Sequence, residues 1–513
     1  MNAMKNYKLI DIIGICLFVS SIILLLIMLI LGLNQSIWFD ETFTLKLISM
    51  SFKDMIFATA KDVHPPLYYI ILKVGTEFCS LFISSGSFNA SDMFNSYYSL
   101  NIIVAKLIST IPLILLLYFS FTKLKKGFGW LTSGIFGFCI VTMPKMMIYC
   151  TQIRMYSWGI FFVTLSFYYC YKITEDPNKK NWIIFSIFSL MAIYTHYYAT
   201  IAIGFIYLLL IYHIILKNRK MLKNWILSSV TIILVYIPWL LIFINESKYF
   251  NSNQWHVPTF QYLIDTIGFI CSPIYDYYFY FEHTTILGIL FFVSLLIFLI
   301  YMYFSRKKIL VEKKSEKSFF MFIGWGGIFV LFVTTFFAII FSVLVKPMFE
   351  IRYTILLLGC FWLSFAVLLS RSSSQKIIFV PIFFIILVIG MINFVTFIDS
   401  EINFKSDNLE FMEVISQINE NDTIISLYPS GSLFDDFFKF YFKNNKFFSN
   451  ENNFTIISEI NERLKKGKIW ILIPDGNEYE FNKLITENGL KLKGNSLIRL
   501  KILAPCHIYL INI

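Results

Sequence analysis

Two adjacent carboxylates, Asp40 and Glu41, stand in Trp38-Phe39-Asp40-Glu41-Thr42, just past the first apolar segment. A carboxylate fixed at a membrane surface can take the proton of an acceptor hydroxyl as that oxygen attacks a sugar. Neighbouring residues on a helix point in different directions, so one acid does the chemistry and the other supports it. The base is assigned to Asp40 and the support to Glu41. The plainer alternative is that both acids only favour a helix N-terminus. A second polar string, Asp62-Val63-His64-Pro65-Pro66-Leu67-Tyr68-Tyr69, follows. His64 would sit near the acceptor or the phosphate, or simply precede a helix that the prolines start.

Arg154, in Gln152-Ile153-Arg154-Met155-Tyr156, and Arg352, beside Tyr353, lie in short turns between apolar segments. Arginine binds phosphate through parallel hydrogen bonds, although snorkelling at a helix end would also put it there. Lys106, five residues into another apolar segment, is a third cation for a lipid phosphate or a second snorkelling side chain. Histidine is scarce, with six in the chain, yet His64, His196 and His256 all stand beside aromatic residues. Tyr194-Thr195-His196-Tyr197-Tyr198 and Trp255-His256 read equally as an aromatic belt or as sugar and lipid contacts. No spacing marks a firm metal site; a divalent metal is left open. No disulfide framework shows in the scattered cysteines.

The elements that position these residues are membrane spans. The chain is 57% hydrophobic, with a mean hydropathy of +0.69, more apolar surface than a soluble domain of 513 residues can bury. Eleven segments have the length a bilayer core demands: 9–33, 101–122, 129–149, 155–173, 182–196, 198–216, 224–244, 284–304, 319–345, 353–370 and 377–397. The first reads as a retained span. A twelfth, 66–84, is decided by charge. If it lies in the interface and the N-terminus is cytoplasmic, then Lys5 and Lys8, Lys123 to Lys126, Lys179 and Lys180, Lys217 to Lys223, Arg306 to Lys317, and Arg371 with Lys376 all share the cytoplasmic side. If it crosses, every later cluster is turned outside. The net charge of +11 therefore reports topology and does not imply nucleic acid. Residues 34–100 become one extracytoplasmic loop with surface helices at about 41–60 and 66–84. The turns bearing Arg154, His196, His256 and Arg352 open on that same face.

From 401 to 513 the chain turns polar. Ser406 can cap a helix at 407–419; 423–427 and 468–473 read as buried strands; 433–443, 456–466 and 478–488 as helices; and 496–512 as one or two strands. This predicts a small extracytoplasmic α/β domain after a transmembrane domain of residues 1–400.

The residues quoted, in their order, resemble the GT-C glycosyltransferases of family 39, which include dolichyl-phosphate-mannose protein mannosyltransferases and, more distantly, aminoarabinose transferases. Trp38-Phe39-Asp40-Glu41 is similar to the acidic motif of that family's first outer loop. His64-Pro65-Pro66-Leu67 is similar to its HPPL motif, and Gln152-Ile153-Arg154-Met155-Tyr156 to its E-A-R-x-Y turn. Tyr194 to Tyr198 and Arg352-Tyr353 also fit, so the resemblance covers about residues 9–400. It implies a hexosyltransferase of the GT-C fold, a polyprenyl-phosphate sugar donor, inversion at the anomeric carbon, and Asp40 as base. Arg154, Arg352, Lys106, Tyr156, His64, His196, Tyr197, His256 and Tyr353 would line the substrate site. The acceptor, whether glycan, lipid or protein, is not specified. Gln152 departs from the family's glutamate and Lys106 from its arginine. The alternatives are a flippase for a polyprenyl-linked glycan, which the charge-poor span interiors and the lack of repeats disfavour, and a non-catalytic relative.

Overall fold

The computed structural model describes residues 2–33, 37, 39–60, 64–82, 100–246, 258–273, 286–309, 316–345, 347, 349–419, 421–427, 438–439, 445–449, 468–474, 483, 486–487, 491–498 and 506–512. The chain opens with α1 (Asn2–Leu33), 32 residues without a proline to break them. Three short helices follow: α2 (Phe39–Ser49), α3 (Phe52–Ala60) and α4 (Leu67–Ser80). The single helix expected at 41–60 is broken. Ser51 accepts the Asp54 N–H at 3.2 Å and donates its hydroxyl to the Asp54 carboxylate at 2.6 Å, a local cap that starts α3 afresh. At 14 residues, α4 is about 21 Å long at 1.5 Å per residue, well short of a bilayer core.

A bundle of long helices comes next. It begins with α5 (Leu100–Phe119), which widens through a π turn at Ser120–Leu124 into α6 (Lys125–Phe128). Then come α7 (Trp130–Thr142), α8 (Met146–Thr151), α9 (Tyr156–Glu175), α10 (Lys179–Ile193), α11 (Tyr197–Lys217) and α12 (Leu222–Glu246). The remainder are α13 (Phe260–Cys271), α14 (Ile286–Ile309), α15 (Glu316–Leu344), α16 (Ile355–Arg371) and α17 (Lys376–Ser416). Among the described residues, eight helices are long and apolar enough to cross a membrane. The three other segments expected to cross are α9, α10 and the α7–α8 pair; α7 and α10 run only 13 and 15 residues.

The hub of the bundle is α16, buried along nearly its whole length and packed on α7, α9 and α15. Small residues permit these crossings. A Cβ on Gly134 of α7 would strike the backbone carbonyl of Gly14 on α1, and one on Gly359 of α16 would strike the Thr164 hydroxyl on α9. Such close approach is how helices associate where lipid removes the hydrophobic drive.

Residues 391–416 contain neither glycine nor proline, and α17 runs straight through them. The separate helix expected from Ser406 is therefore the last part of α17. Beyond it, β1 (Thr423–Ser426), β2 (Lys446–Ser449), β3 (Ile469–Pro474), β4 (Lys491–Ile498) and β5 (Cys506–Asn512) form one sheet in the order β2-β1-β3-β5-β4. β1 is parallel to both β2 and β3, with Ile424 opposite Phe447 and Trp470, while β5 is antiparallel to β3 and β4. β1 and β3 fall where the sequence placed strands, and 496–512 resolves into part of β4 and all of β5. β2 was not anticipated. The expected helices at 433–443, 456–466 and 478–488 lie largely or wholly outside the described residues.

Candidate functional site

Most of the candidate residues stand at or just beyond a helix end, and those ends meet. Asp40 and Glu41 occupy the first turn of α2, where acids are favourable. The Glu41 carboxylate accepts the backbone N–H of Ile153 at 2.7 Å. The N–H of Arg154 turns back onto the Gln152 carbonyl at 2.7 Å. These two bonds shape the tight turn between α8 and α9 and aim Arg154 at α2. There the guanidinium donates from Nη1 to the Asp40 carbonyl (3.2 Å) and to the Thr44 hydroxyl (3.1 Å), and its Nε lies 3.9 Å from the Asp40 carboxylate.

Arg352 enters from the far side. It belongs to a single 3-10 turn, Ile351–Thr354, that leads into α16. Its Nη1 donates to the same carboxylate oxygen, Asp40 Oδ2, at 2.9 Å. Asp40, Glu41 and Arg154 are buried, and the Arg352 side chain is only 15% exposed. Ionic hydrogen bonds out of water are of the strong kind, and taking one partner from such a pair costs about 3–5 kcal/mol when the pair is fully buried.

A ring cluster adjoins this ionic centre. Pro66 stands at the head of α4, and the Leu67 N–H donates to the Tyr194 carbonyl at 3.0 Å. That bond staples the His64-Pro65-Pro66 turn to the turn between α10 and α11, which carries His196. The His64 and His196 rings are 4.8 Å apart, and Tyr353 lies 4.6 Å from His196 and 6.2 Å from His64. Tyr156, the first residue of α9, is 6.5 Å from His196 and 5.2 Å from Tyr149. His196 caps α11, its Nδ1 accepting the Tyr198 N–H at 3.0 Å. Burial first, then the charges of His64, Arg154 and Arg352, hold its imidazole well below the ordinary histidine range, so it is neutral.

The structure thus brings Asp40, Glu41, His64, Arg154, Tyr156, His196, Arg352 and Tyr353 together. Two other candidates sit apart from the rings. Tyr197 packs on Phe243 of α12 at 4.7 Å. Lys106 is buried and donates to the Gly32 carbonyl at 2.8 Å, closing the last turn of α1 in the manner of a C-terminal lysine cap. His256, with Trp255, lies outside the described residues, as do Trp38 and Val63 of the two motifs.

Sequence reasoning missed two members. Thr44, one helical turn after Asp40, donates to the Asp40 carbonyl at 3.0 Å and receives Arg154. Its only signal was the spacing of four. Glu401 on α17 is buried, and with Glu41 it is one of two acids whose charge acts on Lys106. In the sequence it only follows the last apolar run, with nothing beside it to mark it. Among the described residues no three His, Cys, Asp or Glu side chains gather as a metal site would require.

The sequence matches no family model and no curated protein. The fold is similar to crystal structures of ArnT from Cupriavidus metallidurans. The one bound to undecaprenyl phosphate gives a TM-score of 0.56 at 9% identity, covering 97% of this chain and 97% of that one. The apo state gives 0.54 at 9% identity over 96% and 97%. The likeness runs the length of both chains, so this multi-pass membrane protein has the GT-C fold seen in ArnT.

Proposed function

We propose that this protein is a membrane glycosyltransferase, akin to family 39, that moves one hexose from a polyprenyl-phosphate donor to an acceptor on the extracytoplasmic face with inversion. The observation that carries this reading is Asp40, buried between Arg352 at 2.9 Å and Arg154 at 3.9 Å, in the fold in which ArnT binds undecaprenyl phosphate. In the proposed reaction the acceptor hydroxyl gives its proton to the Asp40 carboxylate. Its oxygen bonds to the anomeric carbon opposite the phosphate. The bond from that carbon to the phosphate oxygen breaks, and its electron pair leaves on the phosphate. Arg154 and Arg352 stabilise the charge that develops there.

Arg352 is bonded to Asp40, so donor binding exchanges one anion for another. As the guanidinium turns to the phosphate, the carboxylate is released to take a proton. Glu41 acts by position, through Ile153 and the Arg154 turn. Lys106 adds a third cation behind the pair, and Tyr156, Tyr197, Tyr353, His64, His196 and His256 contribute the walls. Residues 1–400 form the catalytic unit in this reading, and 401–513 an accessory domain.

The test is transfer from radiolabelled polyprenyl-phosphate hexose in membranes holding wild type or Asp40→Asn, normalised to folded protein. Label should enter product with wild type and fall about 10²- to 10⁴-fold in the variant. Equal labelling would move the base elsewhere. No labelling, together with translocation of a lipid-linked glycan, would favour a flippase.

A further inference from the structure

His196 fixes its own tautomer. Its Nδ1 accepts the Tyr198 N–H at 3.0 Å as the cap of α11. Only the ring nitrogen nearer the backbone reaches that amide; turning the ring over would set a carbon against the N–H. A nitrogen that accepts carries no proton. The ring is neutral, because burial, His64, Arg154 and Arg352 all oppose a second proton. The one proton is therefore on Nε2. This Nε2 is a buried donor, on a residue 1% exposed, with no acceptor among the described residues. Leaving such a donor unmet is costly. Rings enclose it: His64 and Tyr353 stand edge-on at 4.8 and 4.6 Å, with Tyr156 beyond. Arg352, next to Tyr353 in the chain, holds Asp40.

Phosphate has the two arginines to meet it. A neutral donor among aromatic faces suits the uncharged part of the substrate. We infer that His196 Nε2–H donates a hydrogen bond to an oxygen of the transferred sugar and selects a neutral hydroxyl there over a protonated amino group. The inference rests on the transferase reading above. A hydroxyl offers lone pairs to the N–H. An ammonium offers only donors and would stand near two guanidiniums, so N–H would face N–H among like charges.

Two variants separate the site's two hydrogen bonds. In His196→Asn the side-chain oxygen replaces Nδ1 and keeps the cap, while nothing replaces Nε2. In His196→Gln the amide reaches the Nε2 position and the cap is lost. The experiment measures kcat/KM and the thermal midpoint in detergent for wild type and both variants. The donors are a polyprenyl-phosphate hexose and the same carrier bearing a 4-amino-4-deoxy sugar. Wild type should prefer the neutral sugar by about tenfold or more. His196→Asn should melt like wild type yet lose about 10- to 100-fold in kcat/KM on the neutral sugar. His196→Gln should melt lower and still transfer about tenfold faster than His196→Asn. Unchanged kcat/KM in His196→Asn overturns the inference, and so does equal use of both sugars by wild type. A wild type that transfers neither sugar overturns the transferase reading itself, and is seen before any variant is compared.

Discussion

Asp40 and Arg352 lie 312 positions apart and meet at 2.9 Å. Nothing local predicts that pairing; what the sequence offers is that each stands at the edge of an apolar run, where a charge needs a reason. The same holds for His64 and His196, readable as scarce histidines beside aromatics but not as rings 4.8 Å apart. Glu401 escaped because an acid after a span is usually wet, and only packing shows that this one is not. The neutral His196 has a measurable consequence. Its folded-state pKa is held well below the ordinary 6.5 by burial first and then by the charges of His64, Arg154 and Arg352. As pH falls through about 6.5 the unfolded chain takes up a proton that the folded site refuses, so stability is full above that pH and declines below it. The thermal midpoint of wild type should drop between pH 7 and 5 by more than that of His196→Asn. Equal drops would mean that the ring titrates freely.

The helices explain why the site holds its shape. Asp40, Glu41, Arg154, Tyr156, His196, Arg352 and Tyr353 are carried at or just beyond helix ends, so the crossings of the helices decide where these side chains meet. Span positions were legible because a bilayer demands long apolar runs, and turns because polar residues interrupt them. The crossings were not legible, since a glycine in an apolar run looks the same whether it faces lipid or another helix. Gly134 is a decisive instance. Alanine would raise the helix propensity of α7 by about 1 kcal/mol. Its Cβ would also meet the Gly14 carbonyl of α1, which is backbone and cannot swing aside. Overpacking of this kind costs about 1–3 kcal/mol, so the net effect of Gly134→Ala is destabilising. The thermal midpoint in detergent should fall, and Gly134→Leu should fall further or fail to accumulate. A midpoint at or above wild type would show that the α1–α7 crossing yields. β2 illustrates the same limit in the sheet. Lys446-Phe447-Phe448-Ser449 is too short to read as a strand until β1 pairs with it.

Across the whole molecule, the charge bias of the loops argues for one facing of the bundle. The apolar runs and the strands β1, β3 and β5 were legible. The orientation proposed here rests on the lysines and arginines of the short loops. The fold ties three parts of the molecule to one end. The Asp40 site lies where α1 ends and α16 begins. Glu401, near the far end of the last apolar helix, acts on Lys106 at that site. The strands follow directly from that helix, with Thr423 only a few residues past Ser416. In the proposed topology the sheet and the site lie on the same side of the membrane, so a probe of one tests the placement of the other. Lys468, at the start of β3, and Lys220, between α11 and α12, are both exposed. Single Lys468→Cys and Lys220→Cys variants can be treated in intact cells with a membrane-impermeant maleimide and read above the wild-type background. The proposed topology requires Lys468→Cys to label at once and Lys220→Cys only after permeabilisation. The reverse pattern would turn the site to the cytoplasm. The acceptor would then have to be a cytoplasmic molecule, and the basic loops would face outward against the charge bias that most membrane proteins obey.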